Sequence, residues 1–321
     1  IFSPMPQVVN PDPRTAVLIA DLGAFQGQTF DGFFNVFDQM TEAEAWANHQ
    51  QHSNQMNIVY LHGEPGQFDV DFGAAILSHE LVHLATHHSR GLAQQESWLN
   101  EVLAESSMLF AGYFNDQIAV DLYVLRPERT TLISQTYVDY GVSILFASFL
   151  LDHLGGYGGF DRIASMPESG ILAVEKAAEI SLGVPTPFDS LFGDFVSYAY
   201  IASLTGENLP SSWHLPHTMG LHVPAFSHAA KAEAFPFAYQ GSLRSYSFAL
   251  IEIATELPPN VDVSITRLGT PLATDPCKDS LSLLWKPLPG AIAVYAVGCE
   301  SEFMIDYRIE IRAVAELKRN E

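Results

Sequence analysis

The sequence predicts an α+β protein in which a mixed N-terminal domain precedes a small all-β module. Before residue 206, strand-like runs are followed by long helical patterns. After residue 236, β-branched or alternating runs are separated by turn residues. The segment between them, 206–236, is rich in Pro, His, Ser and Gly, which is typical of a linker. The predicted domains are therefore residues 1–205 and 237–321.

The N-terminal domain begins with two apolar runs, 15–22 and 57–62, which predict buried strands because Pro, Gly and polar residues bound them. Two helices should follow, with Asp71 as the cap of the first, Gly91 as its stop and Gly112 as the stop of the second. The helical patterns cover residues 73–89, 95–111, 143–154, 171–181 and 188–204.

The C-terminal module is predicted to be a small β-sandwich, because short strands follow one another at turn-separated intervals. Its two cysteines, Cys277 and Cys299, lie near the ends of predicted strands. They predict one disulfide in an oxidising compartment, with two buried free thiols as the alternative. The predicted strands are residues 243–253, 261–267, 281–285, 291–297 and 303–311.

The composition excludes some classes of partner. The formal net charge is -22, with 37 acidic and 15 basic residues, so binding to nucleic acid or to anionic membranes is not expected. The long apolar run at 142–151 falls short of the roughly 18 residues that span a bilayer. The chain begins at Ile1, so either a leader has been removed or the sequence was trimmed; removal predicts a secreted or periplasmic protein. The sequence gives no indication of oligomeric state.

The sequence HELVH at residues 79–83 is the motif that carries chemistry. On a helix, His79 and His83 lie on one face, so both imidazoles can reach one metal ion. Glu80 lies one position round, where it can reach a water molecule on that ion without ligating it. The alternative is an ordinary amphipathic helix with two partly exposed histidines.

The next predicted helix favours the metal site. It reads WLNEVLAES and places Glu101 eighteen positions after His83, with Glu105 one turn further on. Two carboxylates at this spacing repel one another by roughly 0.2–0.5 kcal/mol on a simple helix, so they suit a face that meets cations. Glu101 is the candidate third ligand and Glu105 the candidate hydrogen-bond partner of a ligating histidine. A solvated acidic face is the alternative, but the apolar neighbours of the two glutamates indicate a largely buried helix.

With its HExxH helix and its Asn-Glu-x-x-x-acid helix, the chain resembles the gluzincin metallopeptidases of the thermolysin-like clan. The WLNE-x-x-A segment and a downstream DYG are most similar to the hyicolysin-like members. The resemblance covers residues 57–112 and, more faintly, 137–204. It implies a zincin-like catalytic domain, one catalytic Zn²⁺ held by His79, His83 and Glu101, Glu80 as general base and Glu105 as the acid behind a ligand. Val102 departs from the family pattern, where Gly follows the ligand Glu, and should crowd the site slightly.

Peptide hydrolysis also needs a hydrogen-bond donor to the oxyanion of the attacked carbonyl. Gluzincins commonly supply a Tyr or His from beyond the ligand helix, and TYVDYG offers Tyr137 and Tyr140. The resemblance favours Tyr140, whereas the alternative is that both tyrosines simply pack and hydrogen-bond. The family's aminopeptidase branch carries a Gly-x-Met-Glu-Asn segment. This chain lacks that segment, so an endopeptidase is the expectation.

Three further groups are weaker candidates. The linker histidines follow no regular ligand spacing, so an incidental role is preferred over an oxyanion donor, a second metal site or a pH-sensitive loop. His87 lies on the ligand face, but three protein ligands already complete a catalytic zinc site. Asp69 and Asp71 are candidate Ca²⁺ ligands without an EF-hand loop, so a helix cap is the better interpretation. The linker histidines are His214, His217, His222 and His228.

The sequence therefore predicts a zinc-dependent peptidase that acts on a peptide or protein substrate. The alternative, from another class, is a catalytically inactive protein of peptidase fold that serves in binding or adhesion. The presence of Glu80 beside all three candidate ligands favours the enzyme, because a protein without turnover needs no general base. The sequence does not indicate the preferred substrate sequence.

Overall fold

The computed structural model describes residues 14–25, 28–29, 31–63, 68–90, 96–113, 116–134, 139–204, 221–254, 261–269, 280–299 and 304–313. The chain is mixed, with helices and several small sheets, which is compatible with the predicted α+β class. Its helices are α1 (Glu42–His49), α2 (Val70–Arg90), α3 (Ser97–Ala111), α4 (Gln117–Tyr123), α5 (Tyr140–His153), α6 (Tyr157–Ser165), α7 (Gly170–Leu182) and α8 (Phe188–Ser203).

The strands are short in the first half of the chain and longer in the second. They are β1 (Ala16–Ala20), β2 (Ala24–Phe25), β3 (Gln28–Thr29), β4 (Gly32–Phe34), β5 (Ile58–His62), β6 (Ala230–Ala232), β7 (Phe237–Arg244), β8 (Phe248–Ile253), β9 (Val261–Arg267), β10 (Ser282–Leu288), β11 (Ala291–Val297) and β12 (Met304–Ala313). Among the described residues, no helix is both long enough and apolar enough to span a bilayer.

The described residues form two compact units. The first is drawn from 1–116, 150–185 and 215–221, and the second from 117–149, 186–214 and 222–321. This division differs from the predicted boundary at residue 206, because segments expected in the N-terminal domain belong to the unit that contains the C-terminal strands. The predicted linker differs as well, since β6 lies inside it and pairs in parallel with β8. The linker residues 205–220 lie outside the described part of the chain.

The first unit contains a three-stranded sheet in the order β1-β5-β4. The central strand β5 is parallel to β1 and antiparallel to β4, and α2 packs against β4 and β5. Gly32 permits a close approach here, since a Cβ at this position would lie 2.5 Å from Ile76 Cγ2 of α2 and 2.9 Å from the Tyr60 carbonyl oxygen. The sequence thereby places the edge strand β4 directly beside α2.

The prediction of two buried strands in this sheet is correct for β5 and wrong for β1. Residues Ile58 to Leu61 are buried, whereas Val17, Leu18 and Ile19 are each 43–47% exposed. An apolar run is the same signal for a central and for an edge strand, so it does not reveal how many neighbours the strand has.

Helix α2 begins at Val70, three residues before its predicted start. Its cap is Asp69 rather than the predicted Asp71, because the Asp69 side chain accepts hydrogen bonds from the N–H groups of Asp71 and Phe72 at 3.0 and 3.1 Å. This cap satisfies two of the donors that every helix start leaves open. Helix α3 ends as predicted at Gly112, whose φ of 80° is left-handed. Gly91 lies outside the described residues.

The second unit contains a β-sandwich. One sheet has the order β10-β11-β8-β6 and the other the order β7-β12-β9. Their facing side chains form one apolar core, to which β12 contributes Ile305, Tyr307, Ile309 and Ile311. The run predicted as one strand at 243–253 is instead the end of β7 and the whole of β8, joined by a turn at Ser245 to Ser247. Cys299 is not a free thiol, but Cys277 lies outside the described residues, so the Cys277–Cys299 disulfide stays a prediction.

Helix α8 covers the outer face of the four-stranded sheet within this unit. Strand β11 is therefore buried on both faces, with Ile292 and Val294 in the sandwich core and Tyr295 towards the helix. The rings of Tyr295 and Phe192 lie 6.2 Å apart, and Lys286 of β10 pairs with Asp194 of α8 at 2.9 Å. The module predicted to be all-β is thus completed by a helix from before the predicted linker.

Candidate metal centre

Helix α2 carries the HELVH motif on the side that meets α3. One atom from each of His79, Glu80 and His83 lies within 4.8 Å of the others, and His79 and Glu80 are buried. The two histidine Nε2 atoms are 3.0 Å apart. Two ring nitrogens at this separation require a proton or a cation between them, since two lone pairs would repel. The predicted spacing on one helical face is therefore found in the structure.

Helix α3 brings Glu101 to the same point. Its carboxylate oxygens lie 3.3 Å from His79 Nε2 and 3.6 Å from His83 Nε2. The side chains of these three residues are only 11–18% exposed. Glu101 Oε2 is buried and makes no hydrogen bond of regular geometry. Buried carboxylate oxygens are rarely left in this state, so the position suits an additional positive partner.

Glu105 lies behind the first histidine. Its Oε1 is 3.0 Å from His79 Nδ1, and its side chain is 1% exposed. An Nδ1–H that donates to this carboxylate leaves the Nε2 lone pair of His79 directed at Glu101 and His83. Glu105 thus fixes which ring nitrogen of His79 is available as a ligand.

Asn100 is a residue of this site that the quoted motif contains but to which the sequence analysis assigned no role. It precedes Glu101 on α3. Its side chain acts to raise the pKa of His83, against the larger opposite effect of burial. The side-chain oxygen of Asn100 and the Nδ1 atom of His83 are both buried without a regular hydrogen bond. Asn100 is therefore the residue placed to accept a hydrogen bond from His83, as Glu105 accepts one from His79. The sequence feature that could have indicated Asn100 is its position directly before the candidate ligand Glu101.

The edge strand β4 contributes to the site through its backbone. The N–H of Phe34 donates a hydrogen bond to Glu80, and the Phe34 ring lies 5.8 Å from that of His87. Sequence reasoning missed this strand because three residues carry too little periodicity to be recognised. Glu80 is therefore positioned by α2 and oriented by a neighbouring strand.

The ionisable groups perturb one another strongly. Burial raises the pKa of Glu80 to about 7, against the opposing charge of His79. Burial likewise raises the pKa of Glu105 to about 7, again opposed by His79. Burial disfavours protonated His79, but the carboxylates of Glu101 and Glu105 outweigh it and raise its pKa. Burial lowers the pKa of His83. Such perturbed groups in one cluster are typical of functional sites.

Asp116 adds negative charge beside the cluster. Burial raises its pKa, and its charge in turn raises the pKa of Glu105. It follows α3 in a segment without a recognisable pattern, so it could not be predicted from the sequence. The acidic surroundings make the centre more favourable for a dication than the two histidines alone would.

A polar cavity of about 330 Å³ opens beside the cluster. Its walls come from β4, from the turn after it and from α2 and α3. They include His87, which therefore lies in the cavity and not among the groups that converge with His79. The lining residues are Phe34, Val36, His83, Thr86, His87, Ser97, Asn100 and Glu101.

The remaining predicted residues belong to the second unit or lie outside the described residues. Tyr140 is the first residue of α5, is 43% exposed and belongs to the second unit. Tyr137, His214 and His217 lie outside the described residues. In the second unit, the backbone of His222 is hydrogen-bonded in both directions to the Gln117 side chain, and the His228 ring lies 6.5 Å from that of Tyr200.

Two other predictions concern the metal centre and its surroundings. Val102 is fully buried in α3, and it is not among the residues that line the polar cavity. Asp69 acts as a helix cap, as described above, in agreement with the preferred interpretation over a Ca²⁺ site. Among the residues that the structure describes, His79, Glu80 and His83 each bring one possible ligand atom within 4.8 Å of the others, so Glu80 lies as near the centre as the two histidines.

Comparison of the sequence with models of known protein families and with curated proteins finds no match.

Proposed function

We propose that this protein is a zinc-dependent metallopeptidase of the gluzincin type and that it acts as an endopeptidase. The observation that carries the proposal is the convergence of His79, His83 and Glu101 from two helices. The two histidine Nε2 atoms are 3.0 Å apart, and Glu101 lies 3.3 Å from His79 Nε2 through its Oε2 and 3.6 Å from His83 Nε2 through its Oε1. Ligands about 2.0–2.1 Å from a tetrahedral zinc would be about 3.3 Å from one another.

The donor set supports zinc among the divalent ions. Two imidazoles and one carboxylate are the protein ligands of a common catalytic zinc site, which keeps one position open. The paired Nε2 atoms and the buried Glu101 Oε2 are groups that a dication would satisfy together. His79, His83 and Glu101 would hold the ion, and Glu105 would hold His79 in the ligating tautomer.

A bound zinc ion would supply polarisation of the scissile carbonyl and a lowered pKa of a nearby water molecule. Glu80 is the general base of the proposal, because its carboxylate lies within 4.8 Å of a nitrogen of each histidine and can reach a water molecule beside them. Its carboxylate accepts the proton of the attacking water and then delivers it to the departing amine. The Phe34 N–H would hold this carboxylate in place during both transfers.

Two parts of the proposal concern the substrate. The polar cavity beside His83 and Glu101 is an entry for one side chain of a peptide that lies next to the ligands. Tyr140 is proposed to donate a hydrogen bond to the oxyanion, on the strength of the resemblance of TYVDYG to the family's segment. We also propose that the protein is secreted or periplasmic, as its acidic composition favours.

The experiment that tests this proposal combines metal content with cleavage of unfolded casein. The wild type should retain about one zinc per chain, and chelation should abolish cleavage. Glu101→Ala should lose both zinc and cleavage, because a ligand is removed. Glu80→Gln should retain zinc and lose at least about 100-fold in kcat, because the base alone is removed. Glu233→Gln, an exposed acidic residue, is the matched control and should behave as wild type.

The outcomes separate the two hypotheses. Zinc bound in Glu80→Gln without turnover, beside an active wild type, supports the peptidase. Zinc bound by a wild type that cleaves neither casein nor a peptide library would favour an inactive binding protein of the same fold. A wild type that takes up no zinc under replete conditions would contradict the proposal as a whole.

A further inference from the structure

A second cavity lies on another side of the α2–α3 pair, where α6 covers it. Its volume is about 440 Å³, within the range of pockets that hold small molecules. It belongs entirely to the first unit and shares no lining residue with the polar cavity. The lining residues are Ser78, Leu81, Val82, Ala85, Leu103, Ser106, Ser107, Phe110, Ala111, Tyr157, Phe160, Asp161 and Ala164.

The lining residues recur at helical spacing and include several small side chains. Residues 78, 82 and 85 of α2 face the same way, and α3 and α6 each contribute residues three or four positions apart. Ala85 and Ala164 are short where a fully packed helix interface would carry a larger residue. Three helices therefore surround a space that their own side chains do not fill.

The wall is apolar in its chemistry although three serines belong to it. Each serine hydroxyl donates to a carbonyl of its own helix: Ser78 to Ala75 at 2.7 Å, Ser106 to Leu103 at 2.5 Å and Ser107 to Ala104 at 2.6 Å. Their donors are thus already used. A ligand inside this cavity would be held by apolar contact, since the wall offers it little hydrogen bonding.

The exposed part of the wall carries one acidic residue, Asp161. Ala111 of α3 and Tyr157 and Asp161 of α6 are the exposed lining residues, so they mark where the cavity meets solvent. No Lys, Arg or His is among the lining residues, and the whole chain has a net charge of -22. An anionic ligand end would therefore be repelled at this opening, whereas a neutral or cationic end would be accepted.

We propose that this cavity is a binding site for a small amphiphile with one apolar body and a neutral or cationic polar end. The body lies between α2, α3 and α6, in contact with Val82, Leu103 and Phe160. The polar end lies beside Asp161. The site is separate from the proposed zinc centre, so binding needs neither zinc nor turnover.

The test uses the full-length protein and N-phenyl-1-naphthylamine, a neutral dye whose fluorescence rises in apolar surroundings. We expect saturable binding of one dye per chain, with or without a chelator. Dodecylamine should displace the dye at a concentration at least about tenfold lower than dodecanoate. Asp161→Asn should reduce this preference, whereas Asp71→Asn, an exposed acid on α2, should retain it.

Two variants that fill the cavity test whether the dye binds inside it. Ala164→Phe should weaken dye binding at least about tenfold, and the smaller change Ser107→Leu should weaken it several-fold. Ala47→Phe, at an exposed position of α1, is the control and should bind as wild type. Unchanged binding in Ser107→Leu and in a folded Ala164→Phe would overturn the site, as would the absence of saturable binding. Equal or stronger displacement by dodecanoate would overturn the proposed charge preference.

Discussion

The interior of the second unit is apolar, whereas the centre of the first unit is made of ionisable side chains. The sandwich core of the second unit consists of interlocked aliphatic and aromatic side chains such as Ile292, Ile309 and Tyr307. The centre of the first unit buries Glu80, Glu101 and Glu105 against two histidines. Burial of apolar groups stabilises a fold without any ligand, whereas buried charges stabilise it only when their partners are present. The first unit should therefore depend on its ligand and the second should not.

Zinc gives the largest expected difference between the two units. At free zinc about a thousandfold above its Kd, the free energy of unfolding of the first unit should rise by about 4 kcal/mol. Hydrogen exchange should then slow for the backbone amides of α2 and α3 and stay unchanged for those of β8 and β11. Glu101→Ala should abolish the effect. Equal protection of β11 would show that the two units unfold together and would break the comparison.

Truncation of a side chain in the sandwich core should lower the stability of the second unit and leave zinc binding by the first unit unchanged. Ile309→Ala removes a fully buried side chain of β12 and should cost about 2–5 kcal/mol of unfolding free energy. The affinity for zinc should not change, because the substitution lies in the other unit. Met304→Ala, at a 46% exposed position on the same strand, should cost within about 0.5 kcal/mol. Denaturant unfolding followed by metal titration measures both quantities, and weaker zinc binding in Ile309→Ala would contradict the separation.

The smallest expected effect concerns the support of a ligand. Glu105→Gln retains the shape of the side chain but removes the charge behind His79, so zinc affinity should fall about 10- to 100-fold. Competition with a chromophoric chelator measures this change. Asp121→Asn on α4 supplies a comparable charge removal away from the site and should have no effect. An unchanged affinity in Glu105→Gln would mean that the 3.0 Å contact with His79 Nδ1 does not determine the tautomer.

The sequence predicted the centre better than its surroundings. The His79 and His83 pair follows from helical spacing, which is a local property, and Glu101 follows from the next helix. Tertiary neighbours such as the Phe34 N–H and Asp116 come from segments without periodicity, so no local pattern indicated them. The ligand role itself and the peptidase activity stay predictions.

Helices α1, α4 and α6 were not predicted from the sequence, although α1 carries a clear start signal. Helix α1 begins with a complete capping box between Thr41 and Glu44, in which each side chain bonds the other's backbone. Helices α4 and α6, of 7 and 9 residues, are too short for a clear repeat. The exposed β1 and the split of 243–253 into β7 and β8 both depend on which neighbours a strand acquires. Such neighbours are decided by the whole chain and not by the residues of the strand.

The helix that covers β11 has a practical consequence for dissecting the molecule. A fragment that starts at residue 237, at the predicted domain boundary, would contain every strand of the sandwich except β6 but would lack α8. The Tyr295 side of β11 would then be bare, next to an open edge of β8 that β6 normally occupies. Exposed apolar strands and open edges recruit other chains, so such a fragment should aggregate. A fragment that is to remain dispersed must include residues from the start of α8 onward.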